Sequence, residues 1–239
     1  MTPFRHRIFL HGLLSLLLAF IAGCARLPEY ARPRLVQTAE PEKALASAFP
    51  YRGLTPGDFR AASLSEDQLA HGDRIKAHAA IMMRVTPDSR FKITNGDFFG
   101  QRYFFGRIED LAFEAVMLPD RSYWSPTITP DMRGYVLQHE QIHFALTEIE
   151  ARQLTRDTQK WASEVMVIQP TPQAVRTELF RQVKEKINAA MEANLKRQAK
   201  FDEDTSLSFN PRWQQWWFET VEKELEQTRW EGSDPKKAH

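Results

Sequence analysis

The second half of this chain carries the same helix-start signal three times. In each copy a residue that can cap a helix stands directly before a proline: Thr129-Pro130, Thr171-Pro172 and Asn210-Pro211. The capping side chain accepts a hydrogen bond from a free backbone N–H of the first turn. Proline suits the first helical position because the backbone N–H that it lacks would have no partner there. These signals predict three long helices that begin at Pro130, Pro172 and Pro211.

Apolar residues at helical spacing support these helices. The first is predicted to extend past Trp161, and the second to about residue 199. The second carries an apolar stripe made of Val175, Leu179, Val183, Ile187, Met191 and Leu195. The third has a predicted buried face made of Trp213, Trp216, Trp217, Val221 and Leu225. Because such spacing is typical of helices packed on a core, the tryptophan cluster is interpreted as core.

The region from residue 51 to 124 has the composition of strands. Two segments, "KAHAAIMMRVT" and "EDLAFEAVML", are rich in β-compatible apolar residues, and Asn95-Gly96 between them is a strong tight-turn signal. We expect a small antiparallel sheet, in which "EDLAFEAVML" is an edge strand that an extended peptide can join. A small sheet followed by three long helices is an α+β fold. The predicted domain covers residues 51–230, followed by a polar tail at 231–239.

The first 24 residues have the organisation of an export signal. Arg5 and Arg7 precede the apolar run "IFLHGLLSLLLAFIAG", which is too short for a comfortable membrane span and ends in small residues before Cys24. "IAGC" resembles the lipobox of bacterial lipoproteins, in which the cysteine becomes the lipidated first residue of the mature protein. We therefore expect a lipoprotein signal peptide at 1–23 and lipidation of Cys24. The alternative is an uncleaved N-terminal anchor with an incidental cysteine.

A lipidated Cys24 would hold the protein on a membrane surface rather than through it. Residues 24–50 show no steady period and are interpreted as a tether. Ala25 follows the cysteine where some lipoproteins have Asp, and by resemblance to enterobacterial lipoproteins this favours the periplasmic face of the outer membrane in the bacterial cell envelope. Since Cys24 is the only cysteine, no intramolecular disulfide can form. The net charge of +1 gives no indication of a nucleic-acid partner.

The segment "VLQHEQIHFALTEIEARQL", residues 136 to 154, places a chemical motif on the first predicted helix. Residues four apart lie on one helix face, so His139 and His143 can direct their imidazoles at one metal ion. Glu140 is rotated by about 100° from His139, near enough to reach water at that ion without being a ligand. Zinc acidifies water and a carboxylate can take its proton, as hydrolysis requires. The alternative is that these polar residues lie by accident on a solvated helix face.

Two related metal chemistries can be tested on the sequence. A di-iron carboxylate site needs a second Glu-x-x-His, and no other histidine has a glutamate three residues before it. A metzincin would have a third histidine at position 149, which is Ile. Glu148 lies about 180° round the helix from His139 and is expected to pair with Arg152. The third ligand must therefore come from a later helix or loop, as in gluzincins.

The same segment resembles the signature of a bacterial family described as predicted secreted zinc-dependent proteases, a domain of unknown function. That signature is His-Glu-Gln-x-His-Phe followed by Glu-hydrophobic-x-Ala-Arg. The matching residues here are His139, Glu140, Gln141, His143, Phe144, Glu148, Ala151 and Arg152. Weaker likeness, from about residue 53 to 225, includes "GLTPGDF", "MLPDRSYW" and "FDEDTSLSFNPRWQQWWFETVEKEL". The resemblance implies a zincin-like fold, a Zn²⁺ cofactor and a peptide or protein substrate.

The resemblance also shows where this chain departs from the family. Relatives tend to carry Tyr-Asp-x-Glu-Thr-x-His-Gly downstream, whereas this chain has Leu207-Ser208 in place of His-Gly. If that histidine is the third ligand in relatives, this chain has lost it. If an acidic residue is the ligand, Asp202 is the first candidate and Asp204 the second. The alternative is that "DED" is a solvated acidic turn that ends the helix.

Two functional hypotheses follow from these observations. The first is a membrane-tethered zinc metallopeptidase, with His139 and His143 as zinc ligands and Glu140 as general base. The second, motivated by Leu207, is a non-catalytic envelope lipoprotein that uses a zincin-like scaffold to bind a partner. A structural protein without metal is a third interpretation.

Overall fold

The computed structural model describes residues 27–35, 45–70, 72, 74–206 and 209–229. The predicted signal peptide, Cys24, Leu207 and the polar tail lie outside these residues, so the expectations placed on them stay predictions. Within the described residues, no helix combines the length and the apolar character that a membrane span needs.

Three long helices occupy the second half of the chain, after a short helix α1 (Glu66–Leu69). They are α2 (Arg133–Glu164), α3 (Pro172–Thr205) and α4 (Pro211–Gln227). Two of the predicted starts are confirmed, because the side chain of Thr171 caps α3 and that of Asn210 caps α4, accepting bonds of 3.1 and 3.3 Å from backbone N–H groups.

The predicted start of the first helix was wrong by three residues. Met132, rather than Thr129, is the cap of α2, and its N–H donates to Thr129 O at 3.0 Å. Thr129-Pro130 therefore forms a turn that leads into the helix. The end of α3 also differs, since the helix continues to Thr205 instead of ending near residue 199.

In the part of the chain that the structure describes, eight strands form three small sheets whose strand pairs are all antiparallel. The strands are β1 (Phe49–Pro50), β2 (Ala77–His78), β3 (Ile81–Val85), β4 (Arg90–Phe98), β5 (Gln101–Asp110), β6 (Phe113–Met117), β7 (Tyr123–Trp124) and β8 (Met166–Gln169). Their orders are β1-β6-β3, β2-β7 and β4-β5-β8. The predicted α+β class is confirmed, with three sheets where one was expected and with β8 inserted between α2 and α3.

The prediction of a turn at Asn95-Gly96 was wrong. Both residues lie inside β4, where Asn95 pairs with Phe104 and Gly96 pairs with Tyr103. The chain reverses instead at Phe99 and Gly100, whose φ angles are 50° and 76°. Positive φ at both central residues gives a tight turn that matches the twist of long strands. Apolar and aromatic residues on both sides of Asn95-Gly96 extend the pairing past the signal.

The prediction of an edge strand in "EDLAFEAVML" was also wrong. This segment contains β6, which pairs with β1 on one side and β3 on the other. The folded body begins earlier than residue 51, because Phe49 and Pro50 form β1. In addition, Leu27, within the expected tether, is only 3% exposed.

The core places α3 against the β4-β5-β8 sheet and α4 against α2. Gly106 on β5 allows the first contact, because a Cβ there would lie 2.3 Å from Val175 Cγ1 and 2.7 Å from Leu179 Cδ1. On α4 the predicted face is confirmed only in part. Trp217 and Val221 are buried beside α2, whereas Trp213 and Trp216 are each about half exposed at 49%.

Candidate metal centre

Two histidines of α2 and one aspartate of α3 converge on one point. His139 and His143 are one helical turn apart, and Asp202 lies in the last turn of α3. Asp202 Oδ1 is 3.0 Å from His143 Nε2 and 3.1 Å from His139 Nε2. The two Nε2 atoms are 3.1 Å apart. The two predicted histidines and the first candidate for the third ligand are therefore brought together.

The triangle packs against one buried aromatic ring and is largely closed to solvent. Phe201 is fully buried and stacks on the His139 ring, with the ring centroids 4.5 Å apart. It also meets the His143 ring edge-on at 4.9 Å. Asp202 is 7% exposed, and the side chains of His139 and His143 are 15% and 13% exposed. The imidazoles thus keep a small contact with solvent.

Burial and charge act in opposite directions on the protonation of the triangle. Burial favours the neutral forms of imidazole and carboxyl, but the neighbouring opposite charge outweighs it here. The Asp202 carboxylate, assisted by the charge of Glu140, raises the pKa of His143 to about 9. Against its own burial, Asp202 has its pKa held well below the usual range by His143 and by hydrogen bonds from both histidines. Both pKa shifts favour the charged forms of the pair, the imidazolium of His143 and the carboxylate of Asp202.

Glu140 lies beside the triangle without belonging to it. Its side chain is buried, with the residue 5% exposed, and Oε2 accepts a hydrogen bond from Ala79 N–H at 2.8 Å. Among the described residues, Oε1 has no hydrogen-bond partner. The carboxylate is near enough to act on the charge of His143, but it is not among the donor atoms that converge. This is the non-ligand position predicted for Glu140.

The second candidate for the third ligand is engaged elsewhere. Asp204 Oδ2 accepts a hydrogen bond from Trp217 Nε1 at 3.1 Å, and its Oδ1 pairs with Lys200. The "DED" segment is therefore part of α3 and holds the site against α4 rather than forming a solvated turn.

The predicted pairing of Glu148 with Arg152 is confirmed at 2.7 Å.

Four residues at the site escaped the sequence analysis. Phe201 forms its wall, Ser206 Oγ lies 3.5 Å from His139 Nε2, and Gln198 and Thr147 lie behind His143. For Gln198 the signal was its four-residue spacing from Asp202 along one face of α3. It was lost because the helix was predicted to end near residue 199.

This donor set can hold a metal ion. Imidazole nitrogen and carboxylate oxygen are ligands of several divalent first-row metals. Two ligands that bind one such ion at about 2.1 Å are roughly 3 to 3.5 Å apart, and the three separations observed here, 3.0 to 3.1 Å, fall within that range. The buried carboxylate of Asp202 and the two imidazoles are directed at one point, and this arrangement suits a cation.

No match to this chain was found among protein-family models, curated proteins or solved structures. The resemblance of α2 to a family of predicted secreted proteases therefore stays a prediction. What can be inferred about function comes from the geometry of the site and from the motif itself.

Proposed function

We propose that this protein is a zinc-dependent metallopeptidase of the bacterial cell envelope, held on a membrane by a lipidated Cys24. The observation that carries the proposal is the convergence of His139, His143 and Asp202, with the buried carboxylate of Glu140 beside them. Zinc hydrolases use three protein ligands of these types and keep a further coordination position for water or substrate.

Zinc is favoured over other cations by the chemistry of the donors. Calcium and magnesium prefer sites made of oxygen atoms, whereas imidazole suits zinc and other first-row metals. Two of the three converging donor atoms here are imidazole nitrogens. Zinc has no redox chemistry and prefers tetrahedral coordination. It is also the usual cofactor of hydrolases in which a glutamate lies on the same helix as the two histidine ligands.

The chain supplies the proton transfer. Zinc, when bound, would contribute Lewis acidity that acidifies water and polarises a peptide carbonyl. Glu140 acts as the general base and then returns the proton to the leaving amine nitrogen. The bond from Ala79 N–H fixes its Oε2 atom at 2.8 Å, so that Oε1 carries the proton.

An extended peptide is the proposed substrate. Since β6 is paired on both sides, it cannot accept a further strand. A backbone N–H in contact with Glu140 belongs to Ala79, which directly follows β2. The proposed peptide lies in an extended form near Ala79, so that one of its carbonyl groups is beside Glu140 and the metal site.

Replacing Glu140 tests this proposal most selectively. Glu140→Gln keeps the shape and the bond to Ala79 but removes the base, so we expect bound zinc to remain and kcat to fall by about 10²- to 10⁴-fold. Zinc is measured by elemental analysis and activity by cleavage of labelled casein. Glu164→Gln, the same change at the exposed end of α2, is the matched control and is expected to behave as the wild type.

Two results would contradict the peptidase. One is equal hydrolysis by the wild type and Glu140→Gln. The other is wild-type protein that holds zinc and cleaves no peptide or protein, which would favour the non-catalytic lipoprotein. The lipid attachment is tested separately, since Cys24→Ala is expected to abolish incorporation of a labelled fatty acid without changing zinc content.

A further inference from the structure

A line of buried polar side chains leads away from His143 into the interior. His143 Nδ1, the ring nitrogen that faces away from Asp202, lies 2.8 Å from Gln198 Oε1. Gln198 Nε2 donates to Thr147 Oγ1 at 2.9 Å, and Asn194 Nδ2 donates to the same oxygen at 3.1 Å. Thr147 in turn donates to the backbone carbonyl of His143 at 3.2 Å. All three polar residues are nearly inaccessible, between 0 and 7% exposed.

The hydrogen bonds made by Thr147 in the structure give the whole line one direction. A backbone carbonyl can only accept, so the hydroxyl of Thr147 directs its proton at His143 O. Its oxygen is then an acceptor, which turns the NH₂ group of Gln198 towards Thr147. The other end of the same amide, Oε1, must face His143 Nδ1 as an acceptor. His143 therefore carries a proton on Nδ1.

We infer that Gln198 is a positioning residue that fixes the tautomer and the ring orientation of His143 as a metal ligand. This inference rests on the proposed metal site. With the proton on Nδ1, the lone pair of the neutral ring lies on Nε2, the atom that faces His139 and Asp202. Outer partners of this kind hold ligating histidines in place, and their loss typically weakens metal binding by about 10- to 100-fold.

A glutamine has a different effect here from the carboxylate that often occupies such a position. The amide accepts the Nδ1 proton but adds no charge, so the anionic side chains that act on His143 are those of Asp202 and Glu140. Gln198→Glu is therefore expected to keep the hydrogen bond and to make the imidazole a stronger electron donor. Its Thr147 contact survives because the hydroxyl can turn and donate to a carboxylate.

The test compares the zinc affinity of full-length variants by competition with a chelator. Gln198→Leu is expected to weaken zinc binding by about 10- to 100-fold, and Gln198→Glu to restore it to the wild-type value or tighter. Gln214→Leu is the matched control, since Gln214 is fully buried and bonds to Tyr135 O and Gln138 on the same helix α2. It is expected to lower the melting temperature without changing zinc affinity.

A second pair of variants keeps the inference testable if Gln198→Leu does not fold. Thr147→Val removes the hydroxyl that orients the amide and is expected to weaken zinc binding, whereas Thr147→Ser retains the hydroxyl and is expected to bind as the wild type. A ring-nitrogen NMR spectrum of the zinc-bound protein should show the proton of His143 on Nδ1 in the wild type and in Thr147→Ser.

The outcomes separate this inference from the proposed function. Wild-type zinc binding that neither Gln198→Leu nor Thr147→Val weakens would overturn the positioning role and leave the metallopeptidase standing. The positioning role would also be overturned if Gln198→Glu bound zinc as poorly as Gln198→Leu. Wild-type protein that binds no zinc would overturn both.

Discussion

At the scale of single residues, two aspartates two positions apart have different tasks. Asp202 faces His139 and His143, while Asp204 accepts from the indole of Trp217 and pairs with Lys200. Positions two apart on a helix do not share a face, which separates the tasks. One residue belongs to the metal triangle and the other to the contact between α3 and α4.

Replacing each aspartate by asparagine tests this division. Asp202→Asn removes one of three ligands, and we expect zinc affinity to fall by more than the roughly 100-fold typical of an outer partner. Asp204→Asn weakens the hydrogen bond to Trp217 and is expected to cost about 1 kcal/mol of stability with zinc affinity unchanged. Chelator competition and urea unfolding measure the two effects. A similar loss of zinc affinity in both variants would contradict the assignment.

Asp58 gives a residue-scale prediction about pH. Hydrogen bonds from Arg52, at 2.6 and 3.0 Å, and from the backbone and side chain of Thr55 lower the pKa of Asp58 to about 2 despite its burial. The unfolded value is about 3.9, so the ionised form contributes about 2 kcal/mol of stability above pH 4. Because the folded pKa is the lower one, this contribution is lost as pH falls towards 2.

We therefore expect Asp58→Asn to be less stable than the wild type at pH 5 by about 2 kcal/mol. The difference is expected to shrink steadily as pH is lowered to about 2, because the Asp58 carboxyl then becomes neutral like the amide that replaces it. Urea unfolding of both proteins across this range measures it. A difference that stays constant with pH would show that the Arg52 contact does not depend on the charge of Asp58.

At the scale of elements, α3 connects the core to the site. Its first turns pack on β5 across Gly106, and its last turns carry Gln198, Phe201 and Asp202. The side of α3 that faces the core is apolar at Val175, Leu179 and Val183 and becomes polar at Asn194 and Gln198. The helix must therefore be seated on the sheet for Asp202 to meet the histidines.

Two glycine substitutions test the seating of α3. Gly106→Ala places a Cβ 2.3 Å from Val175 Cγ1, and we expect a loss of about 1–3 kcal/mol as in other overpacked cores. Gly134→Ala, in the exposed first turn of α2 with open space around it, is expected to be neutral or stabilising by up to about 1 kcal/mol. Thermal unfolding compares them, and equal effects would contradict the close contact.

The secondary-structure elements also show which features of the fold and the site could be predicted from the sequence. Two helix starts, the fold class, the pairing of His139 with His143 and the convergence of Asp202 on them were predictable, because capping, apolar spacing and motif spacing are local signals. The turn at Phe99-Gly100, the central place of β6 and the length of α3 were not. Those depend on cross-strand pairing and on packing between distant segments, which override the local signals of Asn95-Gly96 and Thr129-Pro130.

At the scale of the whole molecule, the site is assembled from segments far apart in the chain. The histidines lie about 60 positions before Asp202, and the short connection between β2 and β3 supplies the Ala79 N–H that holds Glu140. The Gln141 side chain accepts from Leu54 N–H at 2.7 Å and so fastens a further loop beside the site. Folding as one unit therefore builds the triangle, and unfolding of any part is expected to release the metal.

The amount of zinc bound by purified full-length protein tests the central claim most directly. After incubation with zinc and dialysis, elemental analysis is expected to give about one zinc per chain for the wild type, as a mononuclear site requires. For His143→Ala it is expected to give close to none. Wild-type protein that retains no zinc, or a variant that retains as much as the wild type, would contradict the account.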